Sequence, residues 1–220
     1  MTTRRFSWEE TLHVLPSAGL NPSDFLSDDK GSFVDSAGNR FSPPRFLAQP
    51  PKCTALPAFL SSLPFVDGEL QTGPSAVFLM RAGRGAFAIW ENGRFFRQKI
   101  ITKYVVRAKQ GKAQSNHNRG KRANSSGAGL RARNEASFIT EAAELLDKWR
   151  GHLTHCNPIV YSAPARLWGE LQRAQKRPVV SKRDPRLLPL GMNLGRPGIA
   201  EMHRICYELS HGSLELVSGQ

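Results

Sequence analysis

The chain has 220 residues, 40% of them hydrophobic, and carries 31 Lys and Arg against 18 Asp and Glu, a formal net charge of +13. That length and apolar content are enough for one large domain or two small ones with a true core, and the charge makes a polyanion the first partner to consider. No run approaches the ~20 apolar residues of a spanning helix, and the opening MTTRRFSWEE reaches acidic residues too early for a signal or transit peptide, so a soluble, cytoplasmic, monomeric protein with no membrane contact is expected.

In chain order, residues 1–75 are rich in Pro, Ser and Gly, as in LPSAGLNPSDFLSDDKG and SPPRFLAQPPK, with small apolar clusters such as Phe59, Leu60, Leu63 and Phe65. This composition reads as an irregular segment that packs on a core. From Ala76 the texture changes, and residues 76–218 read as the main domain. AVFLMRA, AFAIW and RFFRQKI are short β-favouring runs separated by GRG and NG, the pattern of an antiparallel meander with tight turns. KYVVRA, Lys103 to Ala108, reads as a fourth strand. After a long basic loop, Leu130 to Trp149 places Phe138, Ala142, Leu145, Leu146 and Trp149 at helical spacing, with Glu141, Glu144 and Lys148 on the solvated side. PIVYSA reads as a strand, ARLWGELQRA as a short helix, and RPGIAEMHRICYELS as a last helix with Pro197 in its first turn. SLELVS then returns as an edge strand. Strands alternating with helices after a meander predict one α/β (α+β) domain with a mixed sheet flanked by helices.

Cys53, Cys156 and Cys206 form no C-x-x-C pair and cannot all pair with one another, which argues against a disulfide framework. HLTHC (His152, His155, Cys156) and HRIC (His203, Cys206) have ligand-like spacing that would have to converge on one zinc ion. Soft ligands at helical spacing are more often ordinary core or surface residues, so no metal and no cofactor are expected.

The chemistry concentrates in the loop. Between Glu91 and Glu135 there is no carboxylate, while Arg94, Arg97, Lys99, Lys103, Arg107, Lys109, Lys112, Arg119, Lys121, Arg122, Arg131 and Arg133 supply twelve cations. Such a run repels itself unless phosphates neutralise it. Charge runs are usually solvated loops. This one leads from a strand into a helix N-terminus, whose free N–H groups favour anions, with Ser125 and Ser126 as candidate caps and Gly127 and Gly129 allowing close approach. Within it lies GKAQ, Gly111 to Gln114. The Gly-x-x-Gln spacing also occurs at Gly68–Gln71 and Gly169–Gln172, so context separates the three. Only Gln114 sits in a basic loop, where a neutral amide can orient a water or a ribose hydroxyl at an ester or phosphodiester.

KYVVRAKQGKAQS, then NSSGAGLRARNEA, and later RDPRLLPLGMNLGRPGIAEMHRICYEL resemble, in order and spacing, the release-factor-like (VLRF) domain of the ankyrin-repeat and zinc-finger peptidyl-tRNA hydrolases, over roughly Phe78 to Val217. The resemblance implies a fold related to the central domain of eukaryotic peptide-chain release factors. It implies action on peptidyl-tRNA held by a stalled large ribosomal subunit during ribosome-associated quality control, at the ester or within the tRNA 3′ CCA end. Gln114 matches the position of the family's catalytic glutamine. Gly111 opens the loop tip, and Lys109, Lys112, Lys121 and Arg122, with Arg107, Arg119 and Arg133, are expected to hold acceptor-stem and rRNA phosphates. Arg131 is placed to meet a phosphate or orient the loop. Asn134 and Glu135 are expected to brace the loop base, Glu135 through an ion pair with Arg131 or Arg107.

Two departures qualify the match. The larger family members carry a zinc finger before the domain, and ankyrin repeats and a segregase-binding helix after it, none of which these 220 residues hold; docking without them is expected. The family's LRRYNE stands here as LRARNE, with Ala132 and Arg133 at the changed positions. A catalytically silent protein that binds the ribosome or RNA through the same loop is the competing expectation.

Overall fold

The computed structural model describes residues 2–47, 52–67, 69–103 and 127–217. Among them no helix is long and apolar enough to cross a membrane. The chain begins with strand β1 (Thr2–Ser7), helix α1 (Val14–Ser17) and one 3-10 turn at Pro22–Asp24. Strands β2 (Leu26–Ser27), β3 (Phe33–Val34) and β4 (Arg40–Ser42), helix α2 (Leu56–Ser61) and the ribbon of β5 (Phe65–Val66) and β6 (Glu69–Leu70) follow. The remainder runs β7 (Ser75–Arg81), β8 (Arg84–Glu91), β9 (Arg94–Thr102), α3 (Gly127–Lys148), α4 (Arg150–Leu153), β10 (Ile159–Ser162), α5 (Ala165–Ala174), β11 (Leu187–Pro189), α6 (Ile199–Ser210) and β12 (His211–Leu216).

The central sheet has the order β11-β10-β7-β8-β9. Strands β7, β8 and β9 are the expected antiparallel meander, while β10 pairs in parallel with both β7 and β11, so the sheet is mixed and the fold α+β. The β8–β9 turn is Asn92-Gly93, both at positive φ (44° and 77°), the geometry that a two-residue Asn-Gly turn needs. Strand β7 is buried at every position from Ser75 to Met80, because helices cover both faces of the sheet. On one face, Phe78, Phe87 and Ile89 pack against Phe138, Ala142 and Leu146 of α3, against Trp149 at the turn into α4, and against Leu167, Trp168 and Leu171 of α5. On the other, Val77, Leu79, Ala86, Ala88 and Val160 pack against Met202, Ile205, Cys206 and Leu209 of α6. Gly85 leaves the room that the first face requires, since a Cβ there would lie 2.6 Å from the Phe87 ring and 3.1 Å from the Phe138 ring.

The segment read as irregular carries regular structure. Its short strands join a second, antiparallel sheet of order β1-β12-β4-β3-β2. That sheet packs on its own cluster of Phe6, Phe25, Phe33, Phe41, Leu56 and Phe59, with the Phe6 and Phe41 rings stacked at 5.3 Å and the Phe33 and Phe59 rings tilted at 5.2 Å. Strands of two or three residues show no alternation long enough to read, and their phenylalanines stand isolated among prolines and serines. The sheet is completed from the far end of the chain: β12 lies between β1 and β4, an interior strand where an edge strand was expected. Pro197 also falls outside the last helix, which starts at Ile199 after Gly198. Of the fourth strand expected over 103–108, only Lys103 is described, and it lies just beyond the end of β9.

Candidate nucleic-acid interface

Strand β9 and helix α3 bracket the basic loop. At the strand end, the Lys103 backbone N–H donates to the Gly83 carbonyl (2.7 Å), and the Lys103 ammonium lies 2.8 Å from Glu141 of α3. This expected loop cation is therefore partly neutralised and ties strand to helix. At 1.5 Å per residue, the 14 residues from Gly127 to Glu141 amount to about 21 Å, so α3 starts some four turns away from the point where β9 hands over the chain. Apolar burial on α3 begins only at Phe138; before it, Leu130, Ala132, Arg133, Ala136 and Ser137 are exposed. The N-terminal turns of α3 from Leu130 to Ser137 thus stand beyond the core.

Arg131 is half-buried and Arg133 exposed, and among the described residues neither has a carboxylate within ion-pair distance. Asn134 is half-buried and engaged in an interaction. Glu135 departs from expectation. Its carboxylate is bonded by Arg166 of α5, and not by Arg131, and the other arm of the same guanidinium holds Glu170 at 2.7 Å. The sequence signal for this clamp was the Arg166/Glu170 i,i+4 spacing; what it does not contain is that α5 packs beside the early turns of α3. Gln114, Gly111, Lys109, Lys112, Arg107, Arg119, Lys121, Arg122, Ser125 and Ser126 lie outside the described residues.

The zinc arrangement fails on geometry. Cys156 belongs to the cluster on the α3 face of the central sheet and Cys206 to the cluster on the α6 face, so their histidine neighbours lie on opposite sides as well. His152 meets Phe96 edge-on at 5.1 Å and His203 meets Phe95 at 4.6 Å. The Cys156 thiol donates to the His152 carbonyl (3.4 Å), and burial pushes its pKa up to about 11; burial also raises that of Cys206. Both thiols are protonated apolar packing groups at neutral pH. No group of three or more His, Cys, Asp or Glu suited to a metal ion occurs among the described residues.

A cleft of about 580 Å³, lined by Trp8, Trp90, Gly93, His203, Tyr207 and His211 among others, opens at the Asn92-Gly93 end of β9. It lies at the opposite end of β9 from Thr102, about 30 Å away for nine residues.

Comparison with known proteins agrees with the motifs. A family model described as the Bacteroidetes VLRF1 release factor matches residues 75–216. The "tRNA endonuclease ANKZF1" of Bos taurus is 33% identical over 148 residues, 64% of this chain and 20% of that protein. The "tRNA endonuclease vms-1" of Caenorhabditis elegans is 32% identical over 129 residues, 58% of this chain and 21% of that protein. The chain therefore spans about a fifth of the length of the curated relatives it matches. A solved structure described as "Vms1 mitochondrial localization core" shares the fold, with a TM-score of 0.53 and 14% identity over 96% of this chain and 82% of that one.

Proposed function

The chain belongs to the VLRF1 release-factor family, and from that premise we propose that it is a release-factor-type enzyme that cleaves peptidyl-tRNA on stalled large ribosomal subunits, freeing the nascent chain. The observation that carries this reading is the acid-free stretch from Asn92 to Asn134, with its twelve cations, which lies inside the matched region and runs from β9 into the first turns of α3. Relatives named tRNA endonucleases favour a phosphodiester of the tRNA over the aminoacyl ester as the bond cut.

In this reading residues 76–218 form the catalytic unit. The Gln114 amide orients the attacking oxygen, Gly111 lets the loop tip enter a narrow RNA cavity, and Lys109, Lys112, Lys121 and Arg122, with Arg107 and Arg119, neutralise phosphates and the charge that develops in the transition state. Arg131 and Arg133, lacking acidic partners among the described residues, extend that field along α3. The clamp from Arg166 supports a bracing role for Glu135, because it ties the carboxylate on α3 to α5.

The test is to incubate stalled large subunits bearing labelled peptidyl-tRNA with wild type and with Gln114→Ala, resolving the peptide and the tRNA 3′ end together. Wild type is expected to release peptide attached to a shortened 3′ fragment, and Gln114→Ala to bind the particle equally while cleaving about 10²–10⁴-fold more slowly, as for loss of a positioned catalytic group. An intact CCA end on the released tRNA would move the reaction to the ester. No release by either protein, with binding retained, would leave a non-catalytic ribosome-binding protein.

A further inference from the structure

Strand β9 is the terminal strand of the central sheet, and among the described residues no strand pairs with its outer edge. It carries Arg94, Arg97 and Lys99, all exposed, and none of the three has a carboxylate within ion-pair distance among the described residues. Charges on an edge strand commonly serve only to prevent edge-to-edge aggregation. Phe96 does not fit that role: it is 54% exposed in the middle of the same edge, where a large apolar ring would undo the protection.

The bulge in β9 explains how Phe96 comes to be displayed. Opposite β8, Phe95 pairs with Trp90 and Arg97 with Ile89, so Phe96 is the extra residue of a register shift. A bulge re-aims side chains, and bulges concentrate beside functional sites. Here it turns Phe96 away from the core, into a group in which the Arg97 guanidinium lies 5.3 Å from the ring centroid and the His152 ring meets it edge-on at 5.1 Å. Arg97 and Lys99 sit opposite Ile89 and Phe87, hence on the α3 side of the sheet, about 6.8 Å apart along the strand. Beyond them the chain leaves β9 at Thr102 and passes Lys103 toward residues 104–126.

An aromatic face flanked by unneutralised cations along an extended track is the arrangement that holds single-stranded nucleic acid, bases stacking on rings and phosphates meeting Lys and Arg. We infer that the outer flank of β9 is a docking site for single-stranded RNA, with one base stacked on Phe96 and the adjoining phosphates on Arg94, Arg97 and Lys99. Charge complementarity selects this occupant: the flank continues a run from Asn92 to Asn134 that contains no acid. The inference rests on the proposed action on tRNA in one respect, that the track leads the RNA toward the Gln114 loop.

The test uses the full chain and a labelled, unstructured ten-nucleotide RNA in an anisotropy titration at several salt concentrations. Phe96→Ala is expected to weaken binding roughly tenfold with an unchanged salt slope, because stacking releases no counterions, and Phe96→Trp to restore it. Arg97→Ala with Lys99→Ala is expected to weaken binding and to flatten the log–log salt slope by about 1.4, two contacts at 0.7 each. A duplex RNA is expected to be indifferent to Phe96→Ala. Binding unaffected by both sets of changes, or duplex and single strand weakened equally by Phe96→Ala, would overturn the inference. Gln114→Ala separates the two proposals. Phe96-dependent RNA binding without any Gln114-dependent cleavage would overturn the enzyme and keep this site; Gln114-dependent cleavage with Phe96-independent binding would do the reverse.

Discussion

The two sheets treat their charges in opposite ways. In the N-terminal sheet two carboxylates are occupied by the chain itself: Asp28 accepts from the backbone N–H of Lys30 (2.8 Å) and Ser32 (2.9 Å) and pairs with Arg40, and Asp35 accepts from the backbone and side-chain amides of Asn39, both at 2.8 Å. The central sheet ends in a strand and a helix separated by a stretch without acids, and most of its described cations there lack a carboxylate partner among the described residues. Arg5 of β1 also pairs with Glu208 of α6, so the first sheet is tied electrostatically to the helix that covers the second. In the proposed reading the uncompensated cations of the second are where a polyanion binds. Changes in the first should cost folding and spare RNA affinity per folded molecule; changes in the second should do the opposite.

The strongest break of that contrast is Phe33→Ala. The ring is fully buried against Phe41 and Phe59, and its removal is expected to cost about 3–5 kcal/mol in denaturant unfolding, with no change in the salt slope of RNA binding. Because β12 joins that sheet immediately after α6 has packed on the central one, both sheets are expected to melt in one transition; separate transitions would show that the N-terminal sheet is an appendage. Gly212→Ala comes next. A Cβ there would lie 2.3 Å from the Phe6 ring and 2.6 Å from the Ser42 carbonyl oxygen, and since the latter is backbone, an overpacking cost of about 1–3 kcal/mol is expected by the same measurement.

Arg186→Ala tests the central sheet's own scaffold. Its guanidinium donates to the carbonyls of Leu153 (2.8 Å), Thr154 (3.1 Å) and Cys156 (3.1 Å), which close α4 ahead of β10, and pairs with Asp184 at 2.8 Å. Leaving those carbonyls without donors is expected to cost about 1–3 kcal/mol. The Arg186 guanidinium holds the Asp184 carboxyl below its ordinary range, and Arg204 does the same for Glu201. A depressed folded pKa contributes stability that is complete above the unfolded value of about 4 and is lost as pH falls through the folded value. The melting temperature is therefore expected to fall below pH 4, with a shallower fall in Glu201→Gln. The smallest effect is expected of Glu135→Gln. Its partner Arg166 has a side chain 60% exposed, so stability should change by less than about 1 kcal/mol; a larger activity loss would mean that the clamp positions the loop.

Elements made by local contacts were legible in the residues alone. The meander followed from its β-favouring runs and the Asn92-Gly93 turn, α5 from ten residues of helical pattern, and α3 from Phe138, Ala142 and Leu146, because each depends on neighbours within a few positions. Gln114 and the LRARNE block lie within the family match at 75–216, and the catalytic role given to Gln114 stands as a proposal. Tertiary structure alone decided the rest. β12 became an interior strand because β1, at the other end of the chain, supplies its partner. Cys156 and Cys206 fell on opposite faces because the sheet between them has two. Glu135 took Arg166 because α5 packs beside α3, and Phe96 emerged because β8 imposes a bulge on β9. Each of these is a contact between residues distant in sequence, and no local pattern encodes which of many possible partners will be near.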